Sequence, residues 1–285
     1  MRIPVGAATP PDHHHPRLSD RLDASVPHPA RRYNYWLGGK DNFAVDRHSG
    51  DQIAAVYPAI RTVARENRAF LQRAVRYLAA EAGIRQFLDI GTGIPSADNT
   101  HEVAQAVAPD ARVLYVDNDP MVLVHARALL TSSEAGATAY LDADLRDPDR
   151  ILAADELRRT LDLSRPVALV LVAVAHFLTD ADRPYEVVAR LVDALPSGSY
   201  LVVSHVTADF IPAEIVARMA AEVAAGRMSN DAVTRSRAEF ARFFAGLELV
   251  EPGIVPVTQW RAELPETERP PLAEASIYGA VARKP

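Results

Sequence analysis

The sequence predicts an α/β protein built on a parallel sheet with helices on both faces. From residue 86 onwards, short and nearly continuous apolar segments alternate with stretches of helical character. Strands that are apolar on both sides are typical of a parallel sheet covered on both faces. A length of 285 residues suffices for one large core, or for one core with a small appendage.

Composition limits the class of function. The formal net charge is −6, which argues against a protein built to grip the phosphates of a nucleic acid. The chain has no cysteine, so disulfides, thiolate metal sites and a cysteine nucleophile are excluded. No apolar run reaches the roughly 18 residues of a membrane helix, and the first 21 residues lack the apolar centre of a secretory signal. We therefore expect a cytoplasmic protein outside the membrane.

The N-terminal part precedes the predicted sheet. Residues 1–30 are polar without a hydrophobic period and are expected to form a mobile tail. The three histidines at 13–15 could bind a metal, but a histidine run in a polar tail usually has no specific role. Residues 31–85 are expected to form a helical lid. They begin with aromatic residues around a double glycine, and apolar residues then recur at helical spacing from about residue 58 to residue 82.

The core is expected to occupy residues 86–285. The predicted strands are 87–90, 113–116, 139–141, 167–172 and 200–203. The predicted helices between them lie near 100–108, 120–131, 149–159 and 183–195. A helical insertion of about 206–246 holds two further helical stretches, 212–226 and 231–245.

The first strand ends in a glycine loop, Asp89-Ile90-Gly91-Thr92-Gly93. Glycines let the chain turn sharply and bring its backbone close to a ligand, and the next helix is expected to start at a cap of Asn99 with Glu102. The third glycine of the dinucleotide fingerprint is absent, which disfavours a nicotinamide oxidoreductase. The Asp89 carboxylate would repel a phosphate and attract a cationic group, such as the amino group of S-adenosylmethionine (SAM). Alternatively, Asp89 merely caps the next helix.

Acidic residues follow the next two strands as well. Asp117, with Asn118 beside it, is placed to accept the hydroxyls of a ribose, whereas Asp119 is expected to cap the helix that begins at Pro120. After the third strand, a carboxylate can accept from the amino group of an adenine while a neighbouring apolar side chain covers the ring. The candidates for that carboxylate are Asp142, Asp144 and Asp147, with surface turn chemistry as the alternative for each.

The fourth strand ends at the same edge and leads to His176. This residue is a candidate general base, or it forms a hydrogen bond within the site; Ala173, at the end of the strand, is expected to line the cofactor site. Tyr33 is a second catalytic candidate, because an aromatic ring can stabilise a sulfonium by cation–π interaction. The alternative for Tyr33 is packing of the lid.

These motifs resemble the class I SAM-dependent methyltransferases. The resemblance is narrower to an actinobacterial group of S-adenosyl methyltransferases formerly catalogued as a domain of unknown function, and its most specific part is the block Gly38-Gly39-Lys40-Asp41-Asn42. It implies a Rossmann-like sheet of seven strands with an antiparallel last strand. It also implies SAM as cofactor, with Asp89, Gly91 and Gly93 at the methionine part, Asp117 at the ribose, and Asp144 with Leu145 at the adenine. Tyr33 and residues 38–41 would then lie over the cofactor.

The expected function is methyl transfer from SAM to an unidentified O or N atom of a small molecule. A regulatory protein that binds SAM without turnover is the alternative. The acidic balance of the chain argues against nucleic acid as a partner, and no metal is expected to take part. Neither the acceptor nor the oligomeric state can be deduced from these residues.

Overall fold

The computed structural model describes residues 22–129, 132–229 and 231–285. Most of the predicted tail, including the three histidines at 13–15, lies outside these residues. The helices are α1 (Pro29–Trp36), α2 (Ala44–Val56), α3 (Ile60–Ala80), α4 (Thr100–Val107), α5 (Pro120–Leu129), α6 (Pro148–Ala153), α7 (Asp155–Thr160), α8 (Pro184–Asp193), α9 (Ala213–Ala224) and α10 (Arg237–Ala241).

Eight strands form one sheet within the described ranges. They are β1 (Gln86–Ile90), β2 (Arg112–Asp117), β3 (Ala137–Asp142), β4 (Ala168–Leu171), β5 (Tyr200–Val206), β6 (Glu248–Leu249), β7 (Val255–Pro256) and β8 (Ile277–Arg283). The order is β3-β2-β1-β4-β5-β8-β6, and β7 also pairs with β8. Strands β1 to β5 are parallel, whereas β8 runs antiparallel to β5 and β6.

The predicted fold class is confirmed, with one difference in the strand count. The sheet has eight strands rather than seven because the segment before β8 contributes two short strands, β6 and β7. Gly253, with a φ of +79°, lies in the turn between them and prevents one continuous strand. The helix predicted at 149–159 is likewise two helices, since Ala154 leaves the helical conformation with a ψ of 139°.

The sheet separates two apolar cores. Along β1, Leu88 and Ile90 face α6 to α8, whereas Phe87 faces α3 and α4. This alternation explains why the strand is apolar at successive positions, because both of its faces are buried.

The segment predicted as a lid has two parts. The long helix α3 packs against the sheet, where the ring of Phe70 meets that of Trp260 edge-on at 5.5 Å. Helix α1 instead reaches the ends of the strands, and it begins at Pro29, inside the predicted tail, with His28 as its cap. No helix in the described ranges is both long and apolar enough to cross a membrane.

Candidate functional site

Asp89 is a buried carboxylate at the carboxyl end of β1. Its side chain is 6% exposed, and its Oδ2 accepts a hydrogen bond of 2.5 Å from the Thr100 hydroxyl. Burial raises the pKa of Asp89 to about 6; the hydrogen bond from Thr100 and the charge of Arg68 oppose this rise, and the charge of Asp117 adds to it. A cationic ligand group beside Asp89 would therefore favour its ionised form.

The cap of α4 is formed by other residues than Asp89. Asn99 and Glu102 make the predicted capping box, in which Glu102 Oε2 accepts from the Asn99 backbone N–H at 2.6 Å. Arg68, on α3, donates to the carbonyls of residues 97 and 98 and to Asn99 Oδ1 at 3.0–3.1 Å. The loop after Gly93 is thus fixed from the side of α3, and the Asp89 carboxylate is not needed as a cap.

The glycine loop brings β1 close to the chain that follows β4. Gly91 has a φ of +75°, and a Cβ there would lie 2.3 Å from the Val174 side chain. Gly93 has a φ of +70° with open space where a Cβ would be. The side chain of Ile90 packs into a core, so this predicted cofactor residue can offer a ligand only its backbone. The Thr92 hydroxyl donates to the Asp89 carbonyl at 3.0 Å.

Asp117 connects the end of β2 to this loop. Its Oδ2 accepts from the Gly93 N–H at 2.8 Å, and its Oδ1 accepts from the Asp119 N–H at 2.9 Å. Burial raises the pKa of Asp117, while the two backbone hydrogen bonds and the charge of His28 act in the opposite direction. Each carboxylate oxygen can still accept a further hydrogen bond, so Asp117 is held in place without being saturated.

Asp119 caps α5, as predicted, and also receives the N-terminal segment. Its Oδ1 accepts from the Met121 N–H at 2.9 Å, and its Oδ2 lies 2.9 Å from His28 Nδ1 and 3.5 Å from Arg31 Nε. The buried Asp46 on α2 completes this cluster by accepting from the His28 N–H at 2.8 Å. Although burial opposes it, contact with His28 leaves the pKa of Asp119 lowered. The start of α1 is therefore attached to the end of β2.

Two predicted cofactor-binding residues, Asn118 after β2 and the adenine candidate Asp144 after β3, lie next to each other. Asn118 Nδ2 donates to Asp144 Oδ2 at 2.8 Å, and Arg146 donates to the same carboxylate through its backbone and its side chain. Leu145 packs into a core. Asn118 and Asp144 are therefore available at the ends of β2 and β3, whereas the Leu145 side chain serves packing.

Ala173 has an unusual backbone conformation just beyond β4. Its φ is +58°, a left-handed conformation that costs a non-glycine residue about 1 kcal/mol. The buried hydroxyl of Ser204, on β5, accepts from the Ala173 N–H at 2.9 Å. Residues held in such conformations cluster at functional sites.

His176 is buried in a short 3₁₀ helix, Ala175–Phe177. Its Nδ1 has no hydrogen-bond partner among the described residues, and its ring centroid lies 5.8 Å from that of His205. Burial lowers the pKa of His176 well below its ordinary value, and His205 and Arg235 add to the effect. A neutral imidazole with such a pKa is a weak base at neutral pH, but it can form a hydrogen bond with a ligand.

Arg235 fixes the segment of chain that crosses the ends of β4 and β5. It is 3% exposed, and it donates through Nη1 to His205 Nε2 at 2.8 Å and through Nη2 to the Leu178 carbonyl at 2.9 Å. Since His205 Nδ1 donates to the carbonyl of Val206, His205 is neutral in this arrangement. Burial lowers the pKa of His205 to about 4.

The same segment is attached to the middle of α1. Val233 N–H donates to the His176 carbonyl at 2.8 Å, and the buried Arg32 of α1 forms an ion pair with Asp231. Together with the contact between His28 and Asp119, this pair attaches α1 on both sides of the strand ends. We call residues 28–36 the strap.

Tyr33 and the double glycine lie in and directly after the strap. The Tyr33 hydroxyl donates to the Ala64 carbonyl and accepts from Asn67, both at 2.9 Å, so it attaches α1 to α3. Gly39 is packed so tightly against Asn34 that a Cβ would lie 2.3 Å from its amide, whereas Gly38 and Lys40 are exposed. Asp41 lies 3.9 Å from His125 of α5, which brings this loop beside the helix that follows β2.

Several residues of this site escaped the sequence reasoning. His28 and Arg31 lie in or beside the part taken as a tail, although a histidine followed by a proline is a usable sign of a helix start. Arg68 is one of many arginines on α3, and nothing in the local sequence singles out Asp231 or Arg235. Their roles depend on contacts between segments far apart in the chain.

Comparisons with known proteins identify the family. The model of the S-adenosyl methyltransferase family matches residues 15–285. A crystal structure of a DUF574 family protein from Streptomyces avermitilis is 51% identical, with a TM-score of 0.87, over 93% of this chain and 100% of that chain. A candidate methyltransferase from Thermobifida fusca is 42% identical, with a TM-score of 0.81, over 91% and 95%. No curated protein matches the chain. The chain therefore belongs to the S-adenosyl methyltransferase family and is a SAM-dependent methyltransferase.

Proposed function

We propose that the protein binds SAM across the ends of β1, β2 and β4 and transfers the methyl group to an O or N atom of a small molecule. The observation that supports this most is the pair of buried carboxylates, Asp89 and Asp117, on either side of the open glycine loop. A cationic ligand with a sugar suits this pair, and a phosphate does not. When bound, SAM supplies an electrophilic methyl group on a sulfonium.

Each predicted residue then has a role that its contacts allow. Asp89 faces the amino group in the methionine part of SAM, and the backbone of Gly91 and Gly93 approaches that methionine part closely. Asp117 accepts from the ribose hydroxyls. Asn118 and Asp144 offer an amide and a carboxylate to the adenine. Ala173, whose strained backbone lies just beyond β4, lines the space between these strand ends, which we call the cleft.

The loop of Gly38, Gly39 and Lys40 covers the cleft on the side of the strap. It follows the strap, which is attached on both sides of the strand ends. By excluding water, such a cover strengthens the electrostatic interactions inside the cleft.

His176 orients the acceptor and does not remove its proton before methyl transfer. Because burial holds the pKa of His176 well below its ordinary value, the imidazole stays neutral and can accept a hydrogen bond from an O–H or N–H of the acceptor. Methyl transfer depends strongly on such positioning, since the attacking atom must be in line with the sulfonium. A formal net charge of −6 favours a small acceptor over DNA or RNA.

Replacement of Asp117 tests the cofactor site. We expect Asp117→Asn and Asp117→Ala to weaken SAM binding by about 1–3 kcal/mol, because polar groups of the ribose and of Gly93 lose their partner. Isothermal titration calorimetry measures this, with Asp149→Ala as the control that removes an exposed carboxylate elsewhere. Unchanged affinity in both Asp117 variants, with folding intact, would contradict the ribose role.

The protonation of His176 tests its role. We expect the His176 ring to remain neutral from pH 8 to pH 5, because protonation would bury a charge next to Arg235. Nitrogen-15 NMR of the imidazoles measures this, and the His176→Gln variant assigns the signal. A ring that titrates near pH 6.5 would show that His176 is a solvent-accessible base.

The acceptor class is tested with SAM that carries a labelled methyl group. Incubation with a cell extract is expected to transfer the label to compounds that pass a small-pore filter. Label that stays with protein or nucleic acid would contradict a small acceptor. No transfer to any fraction, with SAM binding intact, would favour the alternative of a regulatory protein without turnover.

A further inference from the structure

An open cavity lies at the amino ends of β1 and β2, opposite the proposed cofactor site. Its volume is about 590 Å³, within the range of small-molecule sites. Five arginines line it: Arg85, Arg112, Arg158, Arg159 and Arg165. The carboxylates of the methyl-transfer site lie at the other ends of the same strands, so this cavity is separate from the cofactor cleft.

Backbone carbonyls hold two of the arginines in place. Arg112 donates to the carbonyls of Thr160 and Arg159 at 2.5 and 3.3 Å. Arg85 donates to those of Ala79 and Ile84 at 2.8 and 3.0 Å. A carbonyl is neutral, so these hydrogen bonds orient the guanidinium groups without cancelling their charge.

Carboxylates compensate only part of this charge. Of the two that line the cavity, Asp110 lies 3.4 Å from Arg85, and Asp162 accepts hydrogen bonds from the backbone and hydroxyl of Ser164. Arg165 forms no ion pair with any residue that the structure describes. The lining thus carries three more positive than negative charges, in a chain whose formal net charge is −6.

A third carboxylate lies just outside the lining and also faces the arginines. Asp155 is 3.4 Å from both Arg158 and Arg159, and all three side chains are more than half exposed. Exposed pairs of this kind contribute little, so Asp155 leaves both guanidinium groups free to exchange it for a stronger anion.

The lining also indicates which anion fits. Guanidinium groups match phosphate oxygens in pairs of parallel hydrogen bonds. No aromatic side chain lines the cavity, so it offers no surface on which a nucleobase could stack. We propose that this cavity binds a small, multiply phosphorylated ligand through its phosphates alone.

The test is calorimetric titration of the full chain with tripolyphosphate, at about physiological salt. We expect saturable binding, and we expect Arg165→Glu and Arg159→Glu each to weaken it by about tenfold or more, because each reverses one charge of the cavity. Both residues are exposed, so neither change is expected to impair folding. Arg218→Glu, an equal charge reversal on the exposed side of α9, serves as the matched control and should bind like the original protein.

Other probes separate the sources of the phosphate. ATP is expected to bind no more tightly than tripolyphosphate, because its base makes no stacking contact. Sulfate at equal ionic strength should not displace tripolyphosphate. Absence of tripolyphosphate binding, or equal weakening by the Arg218 control, would overturn the proposal. Tighter binding of a single-stranded oligonucleotide would overturn it in favour of a nucleic-acid surface. SAM affinity should be the same in all three variants, so failure here and failure of the proposed methyl-transfer site can be told apart.

Discussion

At the scale of single residues, the buried Asp89 carboxylate lowers the stability of the folded chain. A carboxylate with a pKa of about 6 is harder to ionise in the folded chain than in the unfolded chain, where its ordinary value is 3.8. At neutral pH the folded protein must nevertheless hold it ionised. The side chain therefore destabilises the protein without ligand, and binding of a cation offsets that cost.

Asp89→Asn should accordingly stabilise the protein and weaken SAM binding at the same time. We expect a gain of about 1–3 kcal/mol in the free energy of unfolding at pH 7, because the amide carries no charge and can still accept from Thr100. Denaturant unfolding measures the gain, and calorimetry measures the loss of SAM affinity. Asp149→Asn, at an exposed position, should change neither quantity.

The pH dependence of that gain follows from the direction of the pKa shift. The folded pKa is raised, so the destabilisation by Asp89 is present above about pH 6 and disappears as the pH falls towards 3.8. The difference in stability between Asp89→Asn and the original protein should shrink over the same interval. A difference that stays constant from pH 7 to pH 4 would show that the charge of Asp89 is not its cause.

At the scale of elements, the strap is attached beside the strand ends. Its first residue, His28, contacts Asp119 after β2, and its middle residue, Arg32, contacts Asp231 in the segment beside His176. The sequence predicted a helical cover, but not these attachments. Arg32 and Asp231 are 199 residues apart, and such a contact leaves no local pattern.

Loss of Arg32 should weaken the attachment of the strap to the segment beside His176. We expect Arg32→Ala to speed amide hydrogen exchange in α1, by an amount equal to about 1–3 kcal/mol of local opening, because Asp231 loses its charged partner. SAM should slow the exchange in the original protein if the strap covers the cleft. Mass spectrometry of exchanged peptides measures both effects.

Arg65→Ala is the matched control, since Arg65 is exposed and, among the residues that the structure describes, its side chain forms a hydrogen bond only with Thr62 of the same helix. Equal exchange of α1 in both variants would mean that the ion pair does not hold the strap. Faster exchange throughout the chain would instead indicate general destabilisation by Arg32→Ala.

At the scale of the whole molecule, the sequence predicted most of the sheet and part of the site. The strands β1, β2, β4 and β5 are recognisable because burial on both faces makes them apolar throughout. The turn chemistry of the Gly91–Gly93 loop and the capping box at Asn99 are local, and both are present as predicted. Division of the segment before β8 into two strands depends on its pairing with β8, which local pattern does not reveal.

Side-chain direction was the less predictable part of the site. Ile90 and Leu145 were expected at the cofactor and pack into a core, because they are apolar residues of elements that border the site. The Tyr33 hydroxyl forms hydrogen bonds that connect α1 to α3. The strained backbone of Ala173 could not be foreseen, since alanine gives no sign of a left-handed conformation.

The contact between Gly91 and Val174 joins the two halves of the cleft mechanically. In the proposed function, one half holds the methyl donor, and the other carries His176, which faces the acceptor. With no room for even one added carbon between them, a change that reshapes donor binding at this point also displaces the acceptor side. If the proposed roles hold, a change of acceptor preference that spares donor binding has to involve residues farther from the glycine loop.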